Sequence, residues 1–261
     1  MSIHATAIIA EGAVVPASCT IGPYCIIGPN VVLGEDCHLV SHVVLDGHLT
    51  LGKGNHIYPF ASLGVAPQDL KYAGEPTQCI IGDNNTIRES VTISRGTVGG
   101  GGVTRVGSGC LIMTLTHIGH DTVIGDGCIL ANAATLAGHV IVEDYAVVGA
   151  CCPVHQHCRI GKYAYIGGGT TITQDVLPYS LTCIERNNHT YGLNKVGLER
   201  RGFTPEDLRK LRTAFLVITS GKQNTTQALH TVHDMLAQGG GNEHVRYLAD
   251  FVANTERGFI K

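Results

Sequence analysis

An aliphatic residue occupies every sixth position through most of the first 172 residues. The first run has eleven such positions without exception, from Ile3 to Leu63. A short run covers residues 81–93, and a second long run of twelve positions extends from Val106 to Ile172. A period of six is neither the 3.6 of a helix nor the 2 of a half-buried strand. It is typical of a parallel β-helix, in which each hexad supplies one short strand and one turn.

Three hexads close one triangular coil of eighteen residues, so the aliphatic side chains point into a prism. Glycine often follows the aliphatic residue, and we interpret it as a turn residue with unusual φ. Four positions after the aliphatic residue the side chain is usually small, and eight of the ten cysteines lie there. No Cys-x-x-Cys spacing occurs, so we expect packing thiols rather than zinc ligands or disulfides. These cysteines are Cys19, Cys25, Cys37, Cys79, Cys110, Cys128, Cys152 and Cys158.

Composition excludes several classes of protein. The formal charge is −3, from 18 basic and 21 acidic residues, which does not favour nucleic acid as a partner. No window approaches the roughly 18 apolar residues that a membrane span needs. The first residues, Met1–His4, do not form a signal peptide, so we expect a cytoplasmic protein.

The hexads are interrupted twice and end before the last third of the chain. The segments 66–77 and 98–103 break the pattern, and we expect a site role for the first and only a bulge for the second. After Pro178 the spacing becomes helical, with an N-cap at Thr204 and further helices near 225–238 and 243–254. We therefore predict an all-β solenoid domain, residues 1–180, and a C-terminal α-helical cap, residues 181–261.

Histidines cluster when the sequence is wound into coils of eighteen residues. His120, Gly138 and Gln156 then form one column, and Asp121, His139 and His157 form the next. His117 precedes His120 by three residues, and His155 adjoins Gln156. The period alone therefore predicts a group of imidazoles three coils tall.

Three hypotheses explain such a patch. A neutral imidazole can remove the proton of a sugar hydroxyl as it attacks a thioester, with a backbone N–H at Gly138 stabilising the oxyanion. Alternatively, His117, His120 and either His139 or His155 could bind zinc, as in hexapeptide-repeat carbonic anhydrases. The third hypothesis is that these histidines are solvated corner residues of a scaffold.

Several short segments carry a closer resemblance, and together they span essentially the whole chain. They are Gln68–Thr77, Arg88–Ile93, Arg95–Thr97, His117–Asp121, Ala134–Val140, Val154–Gln156 and Arg200–Phe203. In this order they resemble the acyl-carrier-protein–UDP-N-acetylglucosamine O-acyltransferases of lipid A biosynthesis. The N-acyltransferases of the same pathway are the alternative, but they carry a uridine-binding domain before their hexads, which here begin at Ile3.

The resemblance implies a left-handed prism and a general base at His120, flanked by Asp121 and His117. It implies an oxyanion donor at Gly138 and an acyl-length position at Gly168, where glycine leaves room for a longer 3-hydroxyacyl chain. It implies substrate contacts at two further groups of residues. Sugar and acyl contacts are Gln68, Asp69, Lys71, His139, His155 and Gln156, and nucleotide and phosphate contacts are Asn194, Arg200 and Arg201.

The resemblance also implies the molecules that take part. The donor is acyl carrier protein, the acceptor is UDP-N-acetylglucosamine, and no metal or other cofactor is used. The family forms homotrimers with sites between subunits. Three departures from the family pattern concern the uridine and ribose contacts: Ser94 in place of a histidine, Val196 in place of an acid, and a short segment at 187–191.

Overall fold

The computed structural model describes residues 2–184 and 188–261. The first part of the chain is a left-handed parallel β-helix whose three sheets form the faces of a prism, and helices follow it. The predicted fold class is therefore confirmed. The first sheet contains Ser2–Ile3, Thr20–Ile21, His38–Leu39, His56–Ile57, Thr86–Ile87, Leu111–Ile112, Ile129–Leu130, Val147–Val148, Tyr165–Ile166, Ser180–Ile184 and Asn188–Leu193.

The other two faces have the same short strands. The second sheet contains Ile8–Ile9, Ile26–Ile27, Val44–Leu45, Ser62–Val65, Thr92–Ser94, His117–Ile118, Thr135–Leu136 and Pro153–Val154. The third sheet contains Val32–Leu33, His48–Leu51, Gln78–Ile81, Val103–Val106, Val123–Ile124, Ile141–Val142 and Arg159–Ile160.

The prism core consists of the residues that the period predicts. Ile27, Leu45 and Leu63 stack in consecutive coils and are fully buried. Each such side chain contributes about 1.5–3 kcal/mol by leaving water. All eight cysteines assigned to the small position are buried, which confirms their role in packing.

Glycines after the aliphatic residues serve a different purpose from the one expected. Gly22 and Gly34 do not have positive φ. A Cβ at Gly22 would instead collide with the carbonyl oxygen of Val40 in the next coil, and one at Gly34 with the backbone of Gly52. The expectation of a turn role was wrong for these positions, because close stacking of coils is what excludes a side chain. The left-handed turn positions are often occupied by other residues, such as Asp121 at φ 58° and His139 at φ 63°.

Both interruptions leave the prism at the same edge. Residues 66–77 connect the second-sheet strand Ser62–Val65 to the third-sheet strand Gln78–Ile81. Residues 95–102 connect Thr92–Ser94 to Val103–Val106, again between the second and third sheets. After the loops the third-sheet strands keep their parallel register, with Gln78 opposite both His48 and Val103. Before the loops, the register of Ser62–Val65 on Thr92–Ser94 shifts between Leu63 and Val65. The insertions therefore place two loops above one edge, and the irregular pairing is confined to the ends of the two strands that lead into them.

Two buried asparagines connect the coils across these insertions. The Asn55 side chain accepts a hydrogen bond from the N–H of Asn85 at 2.9 Å. The Asn85 side chain accepts one from the N–H of Cys110 at 2.8 Å and donates to the carbonyls of Gly82 and Gly107. Buried polar groups are retained where all their hydrogen bonds are made, and here they are.

The last part of the chain folds into four helices: α1 (Lys195–Arg200), α2 (Pro205–Thr219), α3 (Thr225–Ala237) and α4 (Glu243–Ala253). Thr204 and Asp207 form the capping box of α2, as the sequence predicts. The short α1 was not predicted. Before it, Asn188–Leu193 pairs antiparallel with Ser180–Ile184 and ends the first sheet. None of the helices in the described ranges has the length and apolarity needed to cross a membrane.

Replacement of Asn85 by alanine should destabilise the prism. The change leaves the Cys110 N–H and the Gly107 carbonyl without their partner, whereas the Gly82 carbonyl keeps the Asn55 amide, so we expect the free energy of unfolding to fall by roughly 2–4 kcal/mol. Denaturant unfolding at fixed protein concentration measures this, with the exposed Asn132→Ala as control. An Asn85→Ala variant as stable as the control would contradict the structural role of this side chain.

Candidate active site

The centre of the candidate site is an imidazole–carboxylate pair at the edge between the second and third sheets. His120 Nδ1 lies 2.8 Å from Asp121 Oδ2. The Asp121 side chain is completely buried, whereas 19% of the His120 side chain remains exposed. Because Asp121 accepts the Nδ1 proton, the Nε2 atom of neutral His120 carries the lone pair.

Asp121 is held by the second of the two loops at this edge. Its carboxylate accepts hydrogen bonds from the N–H of Thr97, at 2.9 and 3.1 Å, and from the Thr97 hydroxyl at 2.6 Å. Gly100 of the short 3₁₀ turn Val98–Gly100 packs so closely that a Cβ there would collide with the carboxylate. The glycine-rich segment was expected to be only a bulge, and that expectation was wrong because it forms the wall behind Asp121.

Gly138 lies directly beside the His120 ring, one coil further along. A Cβ at Gly138 would come within 2.6 Å of His120 Cε1 and 2.7 Å of Nε2. The column predicted from the eighteen-residue period is therefore present. Any side chain at this position would displace the imidazole, so glycine is required here for steric reasons.

Two further imidazoles complete the patch. The His117 ring nitrogen Nδ1 lies 2.7 Å from the Thr92 hydroxyl, and burial lowers the pKa of His117, with His120 as a smaller cause. The His139 ring meets His120 edge-on at 5.1 Å and stacks on His157 at 4.5 Å. Burial also lowers the pKa of His139, partly opposed by Asp121. A pKa below the usual value favours the neutral form of His117 and of His139 at pH 7.

The first loop, residues 66–77, closes a small cavity beside His139. The cavity has a volume of about 240 Å³ and is lined by Asp69, Lys71 and Tyr72 of the loop, by Thr97 and by His139. Asp69 also accepts a hydrogen bond from the N–H of Lys71 at 2.9 Å. Asp69 and His139, which are 70 positions apart in the sequence, thus line the same space. Sequence analysis anticipated a site role for this loop but not its Tyr72.

The residues predicted to contact the nucleotide form a second, separate group. Asn194, Arg200 and Arg201 line a cavity of about 780 Å³ against the outer face of the first sheet, together with Val196. The Asn194 side chain caps α1, and the Arg201 guanidinium lies 4.2 Å above the Tyr145 ring. Within one chain this group does not share an edge of the prism with His120.

Besides His117, His120, Asp121 and Gly138, four predicted site residues line neither cavity. His155 and Gln156 follow Gly138 by one coil and are exposed, and the Gln156 carbonyl accepts a hydrogen bond from Arg257 at 3.0 Å. Gln68 is exposed at the start of the first loop. Gly168 is exposed at the edge between the first and second sheets, where a Cβ would lie 3.3 Å from the Ala150 carbonyl oxygen.

The three departures from the family pattern lie in different places. Ser94 is buried at the end of its strand. Val196 is exposed and lines the second cavity. The segment 187–191 begins outside the described residues.

The best-arranged set of potential metal ligands in the described ranges differs from the one that the spacing suggested. His120, Asp121 and His139 each offer an atom within 4.8 Å of the others. However, Thr97 and His120 already occupy the Asp121 carboxylate, and Thr92 contacts His117 Nδ1. A metal would have to displace the proton shared by His120 and Asp121, so the donor set fits a proton-transfer pair better than a resident ion.

Comparisons with known proteins agree with this geometry. A family model for domain 2 of UDP-N-acetylglucosamine O-acyltransferase matches residues 175–260. The model for the bacterial transferase hexapeptide matches residues 1–35, 12–47 and 104–138.

Solved structures match over nearly the full chain. The UDP-N-acetylglucosamine acyltransferase of Francisella novicida is 38% identical, with 99% of this chain and 93% of that chain covered and a TM-score of 0.95. LpxA of Moraxella catarrhalis is 39% identical, with 100% of both chains covered and a TM-score of 0.95. LpxA of Acinetobacter baumannii is 39% identical, with 99% of both chains covered and a TM-score of 0.95.

A hexapeptide-repeat prism that carries an oriented imidazole at its edge, with these matches, defines an acyltransferase. More particularly, the chain belongs to the UDP-N-acetylglucosamine O-acyltransferase family.

The lowered pKa of His117 predicts a pH-dependent stability. Above pH 6.5 the ring is neutral in both the folded and the unfolded chain, so it contributes no pH dependence. Below pH 6.5 the unfolded chain binds a proton that the buried ring does not, and the free energy of unfolding falls as the pH decreases.

Unfolding curves between pH 5 and 8 test this expectation. His117→Gln should reduce the loss of stability toward pH 5, and the exposed His233→Gln serves as control. An identical pH dependence in His117→Gln and in the unmodified protein would show that burial of this ring is not its cause.

Proposed function

We propose that the protein transfers an (R)-3-hydroxyacyl group from acyl carrier protein to the 3-hydroxyl of UDP-N-acetylglucosamine, the first step of lipid A biosynthesis. The observation that carries this proposal is the His120–Asp121 pair at 2.8 Å beside the Asp69–Lys71 cavity. The names of the solved relatives, all UDP-N-acetylglucosamine acyltransferases or LpxA, support the acceptor.

In the proposed reaction His120 is the general base. Its Nε2 takes the proton of the sugar 3-hydroxyl while that oxygen attacks the thioester carbonyl. The resulting tetrahedral oxyanion is stabilised by the backbone N–H of Gly138. The intermediate then collapses and expels the carrier thiolate, which receives the proton from the His120 imidazolium. Asp121 stays ionised and stabilises that imidazolium.

Asp69 and Lys71 are proposed to hold the sugar, because they face His139 across the cavity. Gln68, His117, His139, His155 and Gln156 are proposed to surround the sugar and acyl groups along the same edge. Gly168 is proposed to leave space for a longer 3-hydroxyacyl chain. No cofactor is part of this proposal.

Asn194, Arg200 and Arg201 are proposed to bind the nucleotide phosphates of a neighbouring subunit's site. Arginine suits phosphate by charge and by the geometry of its guanidinium. Because these residues of α1 and its caps lie against the first sheet and His120 lies between the other two sheets, one chain does not bring them together. A homotrimer would, and we propose that the protein forms one. The prism, residues 1–180, would supply the base and the helical domain, residues 181–261, the phosphate contacts.

The donor and the location complete the proposal. Basic groups on the helical domain suit an acidic carrier protein, and a reaction with acyl carrier protein and a sugar nucleotide takes place in the cytoplasm. The grouping of His120, Asp121 and His139 keeps a zinc-dependent reaction as the second candidate.

A transfer assay tests the proposal. 3-Hydroxyacyl carrier proteins of different chain lengths are offered with UDP-N-acetylglucosamine or with its 3-O-acylated glucosamine counterpart. We expect transfer only to the former, with a preference for longer chains. His120→Ala should lower kcat about 10²–10⁴-fold, which is the usual contribution of a general base to the rate.

Dialysis against a chelator should leave this activity unchanged. Loss of activity, with recovery on addition of zinc, would favour the metal-dependent candidate. Transfer to the amine of the 3-O-acylated sugar would favour an N-acyltransferase, and a His120→Ala variant with full turnover would contradict the assigned base.

Subunit complementation tests the shared site. His120→Ala and Arg201→Ala chains are each expected to be weakly active alone. Coexpressed, they should form mixed trimers in which some sites combine an intact His120 with an intact Arg201, and activity should return in part. Absence of recovery in mixed trimers isolated through two affinity tags would show that both residues act within one chain.

A further inference from the structure

We propose that the segment Arg95-Gly96-Thr97 is a positioning element that aligns the two halves of the active site. Its Arg95 end fixes the loop that carries Asp69 and Lys71, and its Thr97 end fixes the carboxylate that orients His120. This inference rests on the proposed function for its kinetic consequences, but its structural consequences are measurable without any substrate.

The backbone of this segment contacts both ends of the first loop. The Arg95 N–H donates to the carbonyl of Val65, the last residue before the loop, at 3.0 Å. The Gly96 N–H donates to the carbonyl of Gln78, the first strand residue after the loop, also at 3.0 Å. Gly96 is itself confined, because a Cβ there would collide with the backbone N of Val103. The two ends of residues 66–77 are therefore connected through this segment.

The Arg95 side chain reaches into the same loop. Its Nε donates to the Tyr72 hydroxyl at 2.9 Å and its Nη1 donates to the Gly64 carbonyl at 2.8 Å. The Tyr72 hydroxyl in turn donates to the Glu75 carbonyl at 2.8 Å. Only 14% of the Arg95 side chain is exposed, so these hydrogen bonds are shielded from water. Tyr72 is one position from Lys71 and three from Asp69, and its anchoring sets where both point.

Two residues further on, Thr97 faces the other half of the site. Its N–H and its hydroxyl bind the Asp121 carboxylate, and 7% of the residue is exposed. Asp121 Oδ2 therefore accepts from Thr97 and from His120 at once. The loop on one side and the catalytic pair on the other are thus connected through a hydrogen-bonded stretch of three residues.

Such a link has a specific kinetic meaning. A general base acts only when the hydroxyl is held in line with it, and small displacements are costly. Loosening the Arg95 end should weaken binding of the sugar nucleotide, whereas loosening the Thr97 end should slow proton transfer. The two ends of one segment should therefore affect different kinetic constants.

The Arg95 end is tested with Tyr72→Phe, which removes only the hydroxyl. We expect KM for UDP-N-acetylglucosamine to rise about tenfold, the usual worth of a hydrogen bond to a charged group, while kcat changes little. Hydrogen exchange of residues 66–77 in the free enzyme should become faster. Tyr58→Phe is the matched control, because Tyr58 also lies against an arginine, Arg88 at 4.3 Å, but away from this edge.

The Thr97 end is tested with Thr97→Val, which keeps the shape and the backbone N–H. We expect kcat to fall about tenfold with KM unchanged, and Thr97→Ser to restore most of it. Thr116→Val is the control, because this buried hydroxyl donates to the Ala131 carbonyl and not to the site.

A substrate-free measurement accompanies these kinetics. The tautomer of His120, read from ¹⁵N NMR, should be Nδ1–H in the unmodified protein. Thr97→Val removes the hydroxyl that binds Asp121 and should reduce that tautomer, whereas Thr116→Val should not.

The outcomes separate the two proposals. If the unmodified protein transfers no acyl group to UDP-N-acetylglucosamine, the proposed function fails, and exchange and tautomer still decide on the positioning element. Unchanged loop exchange in Tyr72→Phe, or an unchanged tautomer in Thr97→Val, overturns the inference. So does a transferring enzyme in which Tyr72→Phe and Thr97→Val alter the same kinetic constant.

Discussion

The stacking of coils by parallel backbone hydrogen bonds is the constraint on which the rest of the structure depends. It makes residues one coil apart vertical neighbours, whatever their chemistry, and so brings Gly138 against His120 and His139 against His157. It also explains where chain can be added. Residues 66–77 and 95–102 leave and return at one edge, and the strands that follow them are in register with their neighbours. The site is therefore composed of a regularly repeating ladder and two loops that the ladder holds in place.

The chemistry of the site follows from unequal burial of neighbouring groups. Asp121 is removed from water but has hydrogen-bond donors on both oxygens, which offsets the cost of burying its charge. His120 is partly exposed, and its free nitrogen is available to a substrate. His117 and His139 are held neutral by burial, so they do not repel an imidazolium that forms at His120 during turnover. One edge of a repetitive prism thus acquires a single active proton acceptor among several imidazoles.

The period alone predicts the prism, the buried cysteines and the His120–Gly138 and Asp121–His139 columns, because these depend only on the number of residues in a coil. It does not predict what Thr97, Arg95 and Tyr72 contact, since those contacts depend on the course of two loops that have no period. The turn role given to glycine was wrong because the sequence does not show how closely the backbones of neighbouring coils approach each other, as they do at Gly22. Asn194, Arg200 and Arg201 were identified by resemblance, and a single chain places them on another face.

The antiparallel pairing of Asn188–Leu193 with Ser180–Ile184 has a consequence for the whole molecule. The amides and carbonyls that pair at every inner rung of a parallel ladder are left unpaired at its terminal rung. A second solenoid could therefore dock there and continue the ladder. A strand that runs the opposite way presents a different direction and pairing pattern from a coil of the prism, so a docked solenoid would not continue this sheet as another parallel coil. On this face of the prism, the reversal therefore ends the parallel ladder at the carboxyl end of the solenoid.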